Sequence, residues 1–366
     1  MVNNMGGVLS IIKTIIMFML MLTILISIHE FGHMMVAKMF GLYVREFAIG
    51  FGPTLFKWKG KETTYAIKAI PLGGSTAMIE SEDDIKDETE QEIPESRTFY
   101  GVSPWKRICI LIAGPLMNFL LAGLILSGIY LYNGSVAEYP SPLIVTVAEG
   151  SAAQEAGIKP GDFVVSMKYE DGTTVKINDW YDIVLNNQLH SGKIEMTLDR
   201  SGRKYTVTVE PKFDETENRY MIGIGGGEIK EKKINAIQSL GYGFDYTIQI
   251  GKMTVSAVAQ LFTGRGSVEN LSGTIGIYSY TKEAVEMGFE YYLILMANVS
   301  ISLCIMNLVP IPVFDGGRVI LSIIEIIIGK RINKKIETIV LYVGLALILL
   351  LFMLTTYLDV SRLING

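Results

Sequence analysis

Four apolar runs frame the chain. The first, residues 8–28 (VLSIIKTIIMFMLMLTILISI), is long enough to cross a bilayer as a helix. Lys13, its single interruption, lies near enough to one end to snorkel. The run has neither a charged leader nor a small-residue cleavage site, so it reads as a retained membrane helix and not as a signal peptide. A second run spans 106–133, with Lys106 and Arg107 at its start and Gly114, Pro115 and Asn118 breaking its apolar character. Such groups usually face a partner helix. The third and fourth runs lie at about 289–309 and 337–358. Residues 1–36, 106–133 and 289–366 are therefore assigned to four transmembrane helices.

The intervening stretches change period. In 37–105, short alternating segments such as TTYAIKAI, punctuated by GFGP and PLGG, predict β-hairpin strands and turns. This reads either as a small soluble sheet between helices or as a sheet that leans into the membrane beside the first helix, since irregular backbone at lipid depth is tolerated only where protein or a water-filled cavity covers it. Residues 80–97 are strongly acidic and predict a solvated loop. Residues 140–213 read as a separate domain: strand LIVTVA, short helix GSAAQEAG, turn KPGD, strand FVVSM, a helix near DWYDIVLNN, then strands KIEMTLD and KYTVTVE. That order looks like a PDZ-type domain, to whose sheet edge a peptide can add a strand; a small mixed domain acting as a spacer is the alternative. Residues 214–288 are read as amphipathic helices lying on the membrane surface or packed against the spans. The expected fold class is a membrane α-helical protein with four transmembrane helices, a membrane-associated β-hairpin region and an inserted PDZ-like α/β domain.

Composition agrees. The chain has 366 residues, 49% of them hydrophobic, which is high for a soluble protein. Its net charge is only −5, with no basic domain and no aromatic-basic motif, so no nucleic-acid partner is expected. Cys109 and Cys304 sit in apolar runs and read as buried small hydrophobes, not as a disulfide or a metal pair. There are only 3 histidines, which excludes the histidine-rich di-iron membrane oxygenases.

Two of the three fall in ILISIHEFGH, residues 24–33, at the end of the first span. On a helix His29 and His33 occupy i and i+4, so both imidazoles can reach one metal ion. Glu30 stands beside them, able to take a proton from an attacking water without being a ligand. This is the arrangement of a zinc hydrolase. Polar groups inside a membrane cost roughly 2.5–3.5 kcal/mol each on insertion scales, so three of them need a compensating role. A catalytic zinc wants three protein ligands, and His190 lies far off, so the third is expected to be a carboxylate. Asp315 is the one acidic residue inside the third apolar region, in NLVPIPVFDGGRV, where Pro310 and Pro312 interrupt the helix. It is the predicted third ligand. Glu283, Glu286 and Glu325 are rivals, none of them in a comparable helix break. Asn307 could hydrogen-bond a substrate backbone or the oxyanion formed on attack, or simply join helices. Lys330, Arg331, Lys334 and Lys335 in the short loop after the third span predict a cytoplasmic loop. Four spans then put both chain ends and the PDZ-like domain outside the cell membrane's cytoplasmic face, with the site near that face.

HEFGH, GFGP, PLGG, AGPLMNF, the PDZ-like segment, NLSGTIGI and NLVPIPVFDGG stand in one order along nearly the whole chain. In this the sequence resembles the site-2 protease family of intramembrane zinc metalloproteases, in its bacterial branch with one PDZ domain, the regulator of sigma-factor protease type. The resemblance implies zinc on His29, His33 and Asp315, a general base at Glu30 and a substrate-positioning Asn307. It also implies regulated intramembrane proteolysis of pre-cleaved single-pass proteins, such as anti-sigma factors or signal-peptide remnants, with a peptide C-terminus as a partner of the PDZ-like domain. The alternative is a non-catalytic membrane scaffold or chaperone using that domain, against which the intact set of five residues argues. The sequence departs from the family pattern at Phe314 (usually Leu), at Thr274 (usually Pro) and over Ser75–Met78 (often Tyr-Val-Lys-Met).

Overall fold

The structure, a computed structural model, describes residues 2–80, 93–170, 172–189, 192–214, 219–262 and 273–365. In chain order the elements are α1 (Val2–Met39), β1 (Val44–Lys59), β2 (Thr64–Met78), α2 (Pro104–Asn133), β3 (Ser135–Glu138), β4 (Thr146–Val147), α3 (Ala152–Glu155), β5 (Phe163–Tyr169), β6 (Thr174–Lys176), α4 (Trp180–Leu189), β7 (Ile194–Arg200), β8 (Arg203–Val209), β9 (Lys212–Asp214), β10 (Arg219–Met221), β11 (Ile224–Gly225), β12 (Lys230–Lys233), α5 (Ala236–Phe262), α6 (Thr274–Met287), α7 (Phe289–Leu308), α8 (Asp315–Ile328) and α9 (Lys334–Asn365). They form two units, one of residues 1–132 with 236–366 and the other of 133–235.

The first unit is helical and apolar outward. Segments Val8–Met39, Pro104–Asn133, Phe289–Leu308 and Lys335–Ser361 are each long and apolar enough to cross a membrane. Their outward faces carry exposed Ile, Leu, Phe and Met, as lipid contact requires. Inside, Met21 and Leu25 of α1 pack with Tyr292 and Met296 of α7, and Ala122 and Leu126 of α2 pack with Ala297 and Ile301. Small residues at the second seam let backbones approach closely. At the end of α7, Pro310 and Pro312 stop the helix, and α8 starts at once with Asp315. No helix was expected between the third and fourth spans. Gly316 and Gly317 hide it from propensity reasoning, yet a Cβ on Gly316 would lie 2.2 Å from the Leu308 carbonyl oxygen, and one on Gly317 would lie 2.4 Å from that of Ile311. The Asp-Gly-Gly run is thus what lets α8 fold back against the end of α7. Arg107 of α2 and Glu325 of α8, both buried, form an ion pair that holds the far end of α8.

β1 and β2 pair antiparallel, and each bends on itself so that its two halves sit in different places in the sheet. Residues 44–49 pair with 74–78 and also with 64–67, while 54–59 pair with 64–68. Gly50 and Gly52, at φ 86° and 84°, make the bend in β1 that a side-chain-bearing residue would resist. The result is a small sheet whose outer edge, 74–78, runs beside α1. Of the acidic loop expected over 80–97, residues 81–92 lie outside the described residues, as does His190.

The second unit is wider than the 140–213 expected. β3 pairs with β12 and β4 with β11, so residues 133–235 belong together and the helical stretch expected from 214 begins only at Ala236. The strands SVAE and KEKK are short and polar, without the alternation that marks a half-buried strand. The main sheet has four strands in the order β6-β5-β7-β8, over a core that includes Val164, Met167, Ile194, Met196 and Leu198. Asp162, sealed from solvent, closes the KPGD turn. Burial alone pushes its carboxyl up, but hydrogen bonds from Arg200, the Lys159 amide and Tyr205 outweigh that and hold it at about 2.

Candidate metal centre

His29 and His33 lie on one face of α1 in its C-terminal half, both buried, with ring centroids 4.7 Å apart and planes nearly perpendicular. Their Nε2 atoms are 3.0 Å apart. The Ile110 carbonyl of α2 can only accept, and it lies 2.8 Å from His33 Nδ1. That nitrogen therefore carries a proton, which leaves Nε2 as the ring atom that can face a metal. Asp315, at the first position of α8, brings its Oδ2 to 3.1 Å from His29 Nε2 and 3.4 Å from His33 Nε2.

Those three atoms fit a metal. Three ligands on a tetrahedral zinc at about 2.0–2.1 Å stand about 3.3 Å from one another, and the triangle here has sides of 3.0, 3.1 and 3.4 Å. Among the described residues Oδ2 of Asp315 is buried without a hydrogen-bond partner, an arrangement that is costly unless a cation satisfies it. Among the described residues this is the group of His, Cys, Asp and Glu side chains that could hold an ion. The rival carboxylates do not join it; Glu325 is engaged by Arg107 and accepts from the Ile332 amide at 2.9 Å.

The other two predicted residues are placed less tightly. Glu30 is half-buried, next to His29, and its main-chain carbonyl accepts from Thr76 Oγ1 at 2.8 Å. That bond belongs to a series, for Thr23 Oγ1 also donates to the Pro71 carbonyl and Ser27 Oγ to that of Gly73. Positions 23, 27 and 30 share one helix face, so the second half of β2 is stitched to α1 beside the histidines. Asn307, half-buried, is the penultimate residue of α7, eight positions before Asp315. No hydrogen bond to its amide is found among the described residues.

Sequence reasoning did not find the contribution of α2. A Cβ on Gly114 would stand 2.4 Å from His33 Nε2 and 2.8 Å from His29 Cε1, so the bare backbone there forms one wall of the metal site. Gly32 makes the reciprocal approach, 2.4 Å from the Ala113 carbonyl oxygen. The only signal was the break in apolar character at AGP. A testable consequence follows from helix propensity. Alanine is better than glycine by about 1 kcal/mol in a helix interior, so Gly128→Ala, whose Cβ meets nothing within 4 Å, should keep full zinc content. Gly114→Ala should lower zinc affinity by about 10-fold or more, since it displaces both imidazoles. Zinc stoichiometry of the two purified variants measures the contrast.

The comparisons agree with this chemistry. The chain matches the profile of peptidase family M50 over residues 17–351. It is 34% identical to a Clostridium acetobutylicum protein named as a zinc metalloprotease, over 96% of this chain and 98% of that one. It is 29% identical to the regulator of sigma-W protease RasP of Bacillus subtilis and 30% identical to the zinc metalloprotease RasP of Bacillus licheniformis, in each case over 96% of this chain and 99% of the relative. A zinc-fitting triad built on the C-terminal half of a span-length helix, a family match over nearly the whole length and relatives of the same extent lead to one conclusion: this chain belongs to peptidase family M50, the site-2 proteases, and is a membrane zinc metalloprotease.

Proposed function

We propose that His29, His33 and Asp315 hold the catalytic zinc, that Glu30 is the general base, and that Asn307 positions substrate for hydrolysis of a peptide bond inside a membrane-spanning segment. The observation that carries this reading is the convergence of two imidazoles and one distant carboxylate at the end of an apolar helix long enough to span. Zinc, when bound, polarises the scissile carbonyl and makes a water acidic enough to attack near neutral pH. Glu30 accepts the proton of that water and delivers it to the leaving amine. Asn307 donates from its amide to the substrate backbone or to the oxygen on which negative charge develops.

A helical substrate hides its carbonyls in its own hydrogen bonds, so it must unwind before it is cut. The outer edge of the sheet at 74–78, running beside α1, offers main-chain groups to which an extended segment can add as a strand. The Bacillus subtilis relative is named for regulating sigma-W. For this chain that name supports substrates of the anti-sigma-factor kind, single-pass proteins already clipped outside the membrane, together with signal-peptide remnants. The unit of 133–235, with its four-stranded sheet and two short helices, is read as a PDZ-like domain that binds a newly exposed peptide C-terminus. The basic residues Lys330, Arg331, Lys334 and Lys335 support a cytoplasmic position for the loop between α8 and α9. With four spans this sets the metal near the cytoplasmic face and the PDZ-like unit on the other side.

The test is cleavage by the purified full chain of a single-pass segment presented with and without its ectodomain, with products mapped by mass spectrometry. A cut inside the membrane segment, faster on the trimmed substrate, lost on chelation and restored by zinc, is the expected result. A cut confined to the segment's soluble flanks would refute intramembrane proteolysis.

A further inference from the structure

Asn118 on α2 is buried at 1% exposure, and neither its Oδ1 nor its Nδ2 has a hydrogen-bond partner among the described residues. A bare primary amide in a membrane core is costly, so a buried one calls for an explanation. Its main chain is accounted for, since its carbonyl accepts from Ser300 Oγ of α7 at 2.8 Å. Its side chain is not.

The contacts between α1 and α2 show where that amide stands. Ile110 meets His33, and Gly114, one turn on, approaches both His33 and His29. Further along α2, Leu121 packs into the cluster of Met21 and Leu25. The two helices therefore run antiparallel, and successive turns of α2 at 110, 114 and 118 step from His33 to His29 and beyond. Asn118 shares the face of Gly114, one turn on, on the side of His29. His29 Nδ1 is itself buried with no hydrogen-bond partner among the described residues. It must carry the ring proton when Nε2 binds a metal, and a metal-ligating histidine almost always donates that proton to an oxygen acceptor. His33 has its acceptor in the Ile110 carbonyl; the matching acceptor for His29 is the missing part of the site.

We propose that Asn118 supplies it: its Oδ1 accepts the Nδ1 proton of His29 across one water, the two atoms making no direct hydrogen bond to each other, so that α2 orients both histidines, one through a main-chain carbonyl and the other through a side-chain amide. Asn118 is then a positioning residue that acts through His29. The inference rests on His29 being a zinc ligand.

Release of zinc from the detergent-purified full chain to a chelator tests it. Asn118→Leu keeps the branched shape and the number of side-chain heavy atoms and removes the acceptor, and should release zinc about 10–100-fold faster than the wild type. Asn118→Asp supplies a stronger acceptor, so it should release zinc no faster than the wild type. A role in packing alone predicts the opposite order, because leucine suits an apolar seam and a buried carboxylate does not. Wild-type release from Asn118→Leu overturns the proposal, and so does equal acceleration in the two variants. If the leucine variant does not fold, Asn118→Ala, which also lacks an acceptor, takes its place against Asn118→Asp with the same two readings. His33→Ala tests the ligand set separately: a chain that keeps zinc as firmly without His33 refutes the metal site itself, whatever the Asn118 variants do.

Discussion

Glu30→Gln is expected to leave a folded, zinc-loaded protein that cleaves its substrate roughly 10²–10⁴-fold more slowly, the usual contribution of a positioned general base. At 1.36 kcal/mol per tenfold this is about 3–5 kcal/mol of transition-state stabilisation. The substitution isolates the proton transfer because it changes little else. Gln and Glu have similar volume and similar helix propensity. The contact by which residue 30 anchors the sheet is made by its main-chain carbonyl to Thr76 and survives the change. The atoms that could hold the metal are Nε2 of His29 and His33 and Oδ2 of Asp315, none of them from Glu30. Single-turnover cleavage set beside zinc stoichiometry reads the two properties apart. A rate equal to the wild type would show that another group takes the proton, and a parallel loss of zinc would show that Glu30 holds the metal. A slow, loaded variant also traps substrates for identification by mass spectrometry.

How far the sequence could be read depended on whether the information was local. The His-Glu-x-x-His face of α1 and the Asp in a proline break are local patterns, and the structure brings His29, His33 and Asp315 within hydrogen-bonding range of one another across nearly three hundred residues. The strands and helices of the second unit were likewise readable where apolar and polar residues alternate. What could not be read was set by tertiary contact. Gly114 looks like any helix-breaking glycine until the imidazoles lie against it. The start of α8 looks like loop because two glycines occupy its first turn, yet the fold-back against Leu308 and Ile311 admits nothing larger. The short polar strands β3 and β12 carry no pattern of their own and exist because each pairs with the other. Thr76 departs from the family pattern, but its hydroxyl donates to the carbonyl of Glu30, so at this position the chain gains a sheet-to-helix hydrogen bond that valine could not make.

Asp315→Ala should separate metal binding from folding most sharply. Zinc-binding free energies of about 10–16 kcal/mol in four-ligand structural sites correspond to roughly 2.5–4 kcal/mol per ligand, so removing one of three should weaken zinc roughly 10²–10³-fold. Turnover should fall below detection at limiting zinc. The cost to the fold is much smaller. Asp315 begins α8 without serving as a side-chain cap, since the N-cap position is Phe314. Its favourable interaction with the helix dipole is worth about 0.3–1 kcal/mol. The helix is held by other contacts: the glycine-lined fold-back, the Arg107 to Glu325 ion pair, and Gly329, which ends α8 at φ 74° with its amide on the Glu325 carbonyl. Thermal unfolding of the metal-free variant should therefore come no lower than that of the metal-free wild type, whose Asp315 Oδ2 is buried without a partner among the described residues, while the stabilisation that added zinc gives the wild type is lost. Unchanged zinc stoichiometry would send the third ligand elsewhere. Combining Asp315→Ala with Glu30→Gln adds a further check, because residues that act on one reaction centre are not additive. With the metal gone there is no activated water for Glu30 to deprotonate, so the double variant should be no slower than Asp315→Ala alone.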